Sequence, residues 1–163
     1  MVHNHENIKL SNKEAIIKMV QVKTNIPMVD ELFKHNLVEH GVSSYNYKLQ
    51  DIKEFEPIIN AFEKLVDNKY EVKDFWFNKY KKEGYVIPHN HKPVDGSSGK
   101  DWVTGVYYLK KKENSGDLVV NEKTITIKED DFIVFDALDM HYSLPNKEED
   151  DRIIFSINMK KVN

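Results

Sequence analysis

The chain has 163 residues and a mass of 19.2 kDa, a size that suits one domain (1–163) with a hydrophobic core of its own and no need of covalent staples. Its 24 basic and 27 acidic side chains are interspersed and leave a formal charge of -3, so no basic face points to nucleic acid or to an anionic membrane. The absence of cysteine excludes disulfides, thiolate metal sites and thiol mechanisms, and any metal must be held by His, Asp or Glu.

Taken in chain order, the first five residues lack the apolar segment of a secretory signal, and no later run approaches a membrane span. The expectation is a cytoplasmic protein with no membrane partner. His3 and His5 have ligand-like spacing, but terminal residues are usually mobile. Residues 8–24 are ambiguous: Ala15, Ile16, Ile17, Met19 and Val20 could form a short helix, while 19–24 alternate like a strand and are read as an edge strand that could pair across a homodimer. Pro27 then suits the first turn of a helix over 27–40, with Val29, Leu32, Phe33, Leu37 and His40 at helical spacing and Gly41 as its stop. A second helix follows from the stripe Phe55, Ile58, Ile59, Phe62, Leu65 and Val66, with Asp51 and Glu54 as its cap.

After Asn68 the composition turns to short runs of Val, Ile, Thr, Tyr, Phe and Trp between Gly, Asn, Asp, Ser and Lys clusters, which is the pattern of strands and turns. Strands are expected near 71–80, 85–91, 102–110, 116–120, 123–128, 131–136, 141–144 and 152–160, with turns at 81–84 and 113–116. Short antiparallel strands in this number fit a double-sheet jelly roll, the double-stranded β-helix. Residues 1–70 would supply helical support and the edge strand, residues 71–163 the β-helix, giving an α+β chain that is mainly β.

Three of the seven histidines stand out. His89 and His91 bracket Asn90 at the end of an expected strand, where period two puts both imidazoles on one face. The bland alternative is a pair of solvent-facing turn histidines beside Pro88 and Pro93. His141 opens a later strand that neighbours the first in an eight-stranded roll, so it could complete a facial set of three; alternatively it is a rim histidine bonded to Asp139 or Asp136. Arg152 opens the apolar strand Ile153-Ile154-Phe155. Its fork needs a carboxylate, from Asp150 or Asp151 at the surface or from a small ligand inside the roll. Parity places Ile154, Ser156 and Asn158 on the same face as Arg152.

Together His89-x-His91, His141 and Arg152 resemble the site of the Fe(II)- and 2-oxoglutarate-dependent oxygenases, whose double-stranded β-helix carries H-x-(D/E), a distal His and a basic residue. Val103-Thr104-Gly105-Val106-Tyr107-Tyr108 and Ser115-Gly116-Asp117-Leu118 resemble strands of the prolyl-hydroxylase-like members. The likeness is closer still to a group of oxygenases of marine bacteria and their phages that reads H-x-H-P, S-G-V-Y-Y, a distal His and R-I-S-I-S-x-N. It covers about residues 74–160.

The resemblance implies a dioxygenase that converts 2-oxoglutarate and O2 to succinate and CO2 while hydroxylating a small-molecule or peptidyl substrate. By position it implies His89, His91 and His141 as iron ligands, and Arg152 and Tyr108 as holders of the distal carboxylate of 2-oxoglutarate. Ser156 and Tyr85 would stand on the cosubstrate or substrate wall, and Tyr107 would pack outward. One departure is plain: the usual second ligand is a carboxylate, and here His91 or Asp95 must serve. A cupin-type isomerase or dioxygenase that does not use 2-oxoglutarate is the first alternative, although it gives Arg152 and Tyr108 no task. A non-catalytic β-helix binding module is the second.

Overall fold

The computed structural model describes residues 2–24, 37–45 and 47–163. Among them the chain forms β1 (Val2–Asn7), α1 (Lys13–Thr24), β2 (Val38–Ser43), a 3-10 turn (Lys53–Phe55) and α2 (Glu56–Leu65). It continues with β3 (Tyr70–Val86), β4 (Trp102–Lys110), β5 (Leu118–Val120), β6 (Lys123–Ile125), β7 (Asp131–Asp136), β8 (His141–Ser143) and β9 (Arg152–Lys161). The strands build a large antiparallel sheet in the order β1-β7-β4-β9-β3-β2 and a small one in the order β6-β5-β8, the jelly roll expected from the sequence. None of the described helices is long and apolar enough to cross a membrane.

Alternation along the central strands divides the interior in two. Odd residues of β9 (Ile153, Phe155, Ile157 and Met159) join Phe75, Phe77, Val103, Tyr107 and Phe132 in a core sealed by Ile16 and Val20 of α1 and by Phe55, Ile58 and Phe62. Phe155 lies at its centre, 4.9 Å from the Phe55 ring and stacked at 5.3 Å on Phe75. Complete burial of such a ring contributes about 1.5–3 kcal/mol. Even residues face the small sheet. Ile154 packs there with Tyr80, Val106, Tyr108, Leu118, Ile133 and Phe135, and the polar members of the same face define the site described below.

The front of the chain departs from the sequence reading. Residues 13–24 are helical rather than an edge strand, because Ile16, Val20 and Thr24, spaced by four, bury together while Val22 points to solvent. The basis for strand pairing across a homodimer at 19–24 goes with that strand. The large sheet instead ends in β1 and β2. β1 is polar and mostly exposed, and it is held to β7 by its ladder, by His3 against Asp136 and by His5 against Asp131.

Most of the expected 27–40 helix lies outside the described residues, but its end does not: His40 belongs to β2, which pairs with β3. Gly41 is a bulge residue rather than a helix stop, since a Cβ there would sit 2.5 Å from the Lys79 carbonyl oxygen. The helix over 55–66 is present, yet neither Asp51 nor Glu54 caps it; Phe55 holds the cap position without a side-chain bond, and Pro57 fills the first turn. No turn separates 71–80 from 85–91. β3 runs on to Val86 through the positive φ of Glu83 and the close approach of Gly84 to the His40 carbonyl oxygen.

Candidate metal centre and anion pocket

His89 and His91 lie just past β3, in a segment fastened to the β7–β8 connection. The His89 amide donates to the His141 carbonyl at 3.0 Å, the His141 amide donates to the His89 carbonyl at 2.8 Å, and the His91 amide donates to the Ala137 carbonyl at 2.8 Å. A single bridge between His89 and His141 thus replaces the regular strand pairing expected at 85–91, and it is enough to bring the three rings together.

Their Nε2 atoms converge: His91 Nε2 is 3.1 Å from that of His89 and 3.2 Å from that of His141. With metal–nitrogen bonds of about 2.0–2.1 Å, two imidazoles at right angles would stand about 3 Å apart. The three donors therefore fit one divalent first-row ion. Each ring is aimed from behind. His89 Nδ1 meets the Ile87 carbonyl at 2.6 Å, His141 Nδ1 the Asp139 carbonyl at 2.9 Å and His91 Nδ1 the Asn158 Oδ1 at 2.7 Å. These partners favour the ring proton on Nδ1 and turn the Nε2 lone pairs toward one another. Burial, then the neighbouring His91 and His89, hold the His141 pKa well below 6.5, so this ring stays neutral and available.

Asp95, the alternative second ligand, lines the cavity mouth but turns its carboxylate to the Ser97 amide at 2.8 Å. The Ser97 side chain and then its amide lower the Asp95 pKa within its own turn. The group of possible metal donors contains His91 and not Asp95.

From the imidazoles a cavity of about 470 Å³ runs between the sheets to Arg152. Arg152 is 1% exposed. Its Nη1 donates to the carbonyls of Ser115, Gly116 and Leu144, and its Nη2 donates to Ser143 Oγ at 2.9 Å. The guanidinium lies 4.3 Å above the Tyr80 ring, and Nε has no hydrogen-bond partner. Neither Asp150 nor Asp151 pairs with it: Asp150 bonds Lys112, and Asp151 faces Lys79. Burial draws its pKa down, but a guanidinium does not deprotonate in proteins. A buried cation needs polar partners, and here carbonyls and a hydroxyl supply them. Gly116, at φ 95°, makes this possible, for a Cβ would stand 2.4 Å from Arg152 Nη1.

Tyr108 and Ser156 line the same cavity and are buried. Burial raises the Tyr108 pKa, which keeps the phenol a donor. Tyr107 points the other way and stacks on Phe132 at 4.2 Å. Tyr85 does not line the cavity; it pairs with Glu39 of β2, and its neighbour Val86 takes the wall position. β3 ends at Val86 and the chain bends at Pro88 before the isolated bridge at His89, so the parity linking Tyr85 to His89 does not hold.

Residues the sequence did not single out complete the walls. Asn78 and Tyr80 come from β3, and Trp76, 5.6 Å from the His91 ring, carries Tyr45 edge-on at the mouth. Trp76, Asn78 and Tyr80 share one parity of β3, which is the signal that could have found them.

No family model matches the chain, and no curated protein does. Solved structures do. The viral collagen prolyl hydroxylase of Paramecium bursaria Chlorella virus-1, in its 2-oxoglutarate complex, superposes with a TM-score of 0.68 at 18% identity, over 97% of this chain and 96% of that one. The fold is that of the 2-oxoglutarate-dependent oxygenases. This oxygenase fold is shared with HygX of Streptomyces hygroscopicus, solved with nickel and 2-oxoglutarate, at a TM-score of 0.68 and 9% identity over 97% and 82% of the two chains. A Trichoplax adhaerens prolyl hydroxylase, solved with a hypoxia inducible factor peptide fragment, superposes at 0.68 with 15% identity over 97% and 83%.

Proposed function

We propose that the chain is an Fe(II)- and 2-oxoglutarate-dependent dioxygenase that hydroxylates a small-molecule or peptidyl substrate. The observation that carries this reading is the pairing of two groups in one cavity: three imidazoles whose Nε2 atoms converge at one end and, at the other, the buried guanidinium of Arg152. An iron ion and a dicarboxylate would answer both.

His89, His91 and His141 would hold the iron. Arg152 would bind the far carboxylate of 2-oxoglutarate, and Tyr108, kept protonated by burial, would donate to it. The chain's own contribution is positioning and exclusion of water: Leu118, Val106 and Ile154 give the pocket apolar walls, which strengthen both charge interactions. Ser156 lies on the same wall, and Trp76 borders the imidazoles. Bound there, the metal supplies the oxidative decarboxylation of 2-oxoglutarate by O2, coupled to oxidation of a substrate C–H bond. Tyr45 and Val94 at the mouth are exposed, which suits a substrate presented from outside, and the peptide-bound Trichoplax enzyme supports a peptidyl one.

Purified protein supplied with Fe(II), ascorbate and 2-oxoglutarate is expected to release succinate, and Arg152→Ala to abolish that release. Succinate at the same rate with and without the guanidinium would count against the assignment of the pocket; none from the unsubstituted protein would count against the activity.

A further inference from the structure

A row of polar side chains crosses three adjacent strands of the large sheet behind His91. Asp74 of β3 is in register with Asn158 of β9, and Asn158 is in register with Thr104 of β4. A bulge between Val72 and Asp74 makes this possible: Val72 packs against the outer core, while Asp74 lines the cavity. Asn158 Nδ2 lies 3.0 Å from Asp74 Oδ2, and Asn158 Oδ1 lies 2.7 Å from His91 Nδ1. Thr104 Oγ1 donates to the same Oδ1 at 3.0 Å.

Thr104 Oγ1 also lies 3.1 Å from His91 Nδ1 and, with its hydrogen on Asn158 Oδ1, presents a lone pair there. A carboxylate only accepts, so the amide nitrogen of Asn158 must face Asp74 and its oxygen must face His91. His91 must accordingly carry its proton on Nδ1. The two other imidazoles lean on backbone carbonyls of Ile87 and Asp139, which carry no charge. His91 is wired to an anion through a side chain, and it is the residue standing where the resembled pattern has a carboxylate.

We infer that Asp74, acting through Asn158, fixes the tautomer of His91 and supplies at two hydrogen bonds' remove the negative charge that a carboxylate ligand would bring. Asp74 and Asn158 are positioning residues: they touch neither metal nor substrate. This rests on the reading that the three histidines hold a metal, and partners of this kind raise ligand basicity and metal affinity.

The test titrates Co(II) alone into the tag-free full chain, followed by calorimetry and visible absorption. The unsubstituted protein is expected to bind one ion at the histidines, and His141→Ala to lose it. Asp74→Asn, which keeps the shape and the hydrogen bond but removes the charge, should weaken binding about 10- to 100-fold. The double variant Asp74→Asn/Asn158→Asp exchanges the two groups, moves the anion next to His91 and should restore most of the lost affinity, a rescue that a merely structural role does not predict. Affinity unchanged in Asp74→Asn, or no rescue in the double variant, overturns the inference while leaving the metal site standing. Equal binding by His141→Ala overturns the metal site and the inference with it. Nitrogen-15 spectra of the metal-free, unsubstituted protein give an answer independent of any variant: His91 must show a protonated Nδ1, and the opposite tautomer contradicts the relay.

Discussion

The two faces of β9 are buried alike and do different work. Ile153, Phe155, Ile157 and Met159 look outward into a core of aromatic rings under the helices, whereas Arg152, Ile154, Ser156 and Asn158 look inward into the cavity. All eight are at least nine-tenths buried, so burial does not distinguish scaffold from site. Chemistry does: the outward face is apolar throughout, and the inward face alternates its single Ile with a cation, a hydroxyl and an amide, each of which needs a partner. Substitutions on the outward face should lower stability and those on the inward face should lower ligand binding.

The largest break in that contrast would come at Phe155. Removing its ring leaves a void among Phe55, Phe75 and Phe77, and Phe155→Ala is expected to cost about 3–5 kcal/mol in denaturant unfolding. Next comes Arg152→Met, which should lower 2-oxoglutarate affinity by about 10- to 100-fold, as charge-assisted bonds contribute about 1.5–3 kcal/mol. A smaller loss of stability, about 1–3 kcal/mol, should accompany it, because the Ser115, Gly116 and Leu144 carbonyls lose their donor. A fall in stability as large as that of Phe155→Ala, with affinity intact, would erase the distinction between the faces.

Gly116→Ala should do some of both. A Cβ would lie 2.1 Å from the Leu144 carbonyl oxygen at a φ of 95°, so a loss of about 1–3 kcal/mol is expected together with weakened anion binding. Tyr108→Phe sharpens the comparison by removing one neutral donor: about 1 kcal/mol of 2-oxoglutarate affinity, with the fold untouched. The smallest effect is a pH dependence. Because His141 in the folded metal-free protein has a pKa well below 6.5, through burial and its imidazole neighbours, the unfolded chain binds the extra proton first. Stability is then lost as pH falls below about 6.5, and His141→Gln should flatten the melting-temperature profile there.

How much of this was legible depended on where the signal resides. β4 and β7 run to the residues expected, because Trp102–Lys110 and Asp131–Asp136 are dense in β-branched and aromatic side chains. β1 escaped notice because a polar edge strand is fixed by its partner's backbone rather than by any pattern of its own. Residues 19–24 satisfy both periods, and packing against Phe55 and its neighbours decides for the helix α1. His89, His91, His141 and Arg152 were visible as residue types whose cost of burial demands a reason. Asp74 and Thr104 were not, for nothing local distinguishes them; they matter only through register with Asn158, which strand pairing alone defines. Tyr85 lies off the cavity wall for the converse reason: its parity with His89 presumes a strand that in fact ends at Val86.

The most direct measurement is a crystal structure of the protein soaked under argon with Fe(II) and N-oxalylglycine, a mimic of 2-oxoglutarate that is not decarboxylated. The account predicts one metal peak bonded to Nε2 of His89, His91 and His141, with the mimic chelating it and its far carboxylate on Arg152 and Tyr108. A metal bound through Asp95 with His91 turned away, or a mimic that leaves the guanidinium untouched, would contradict it.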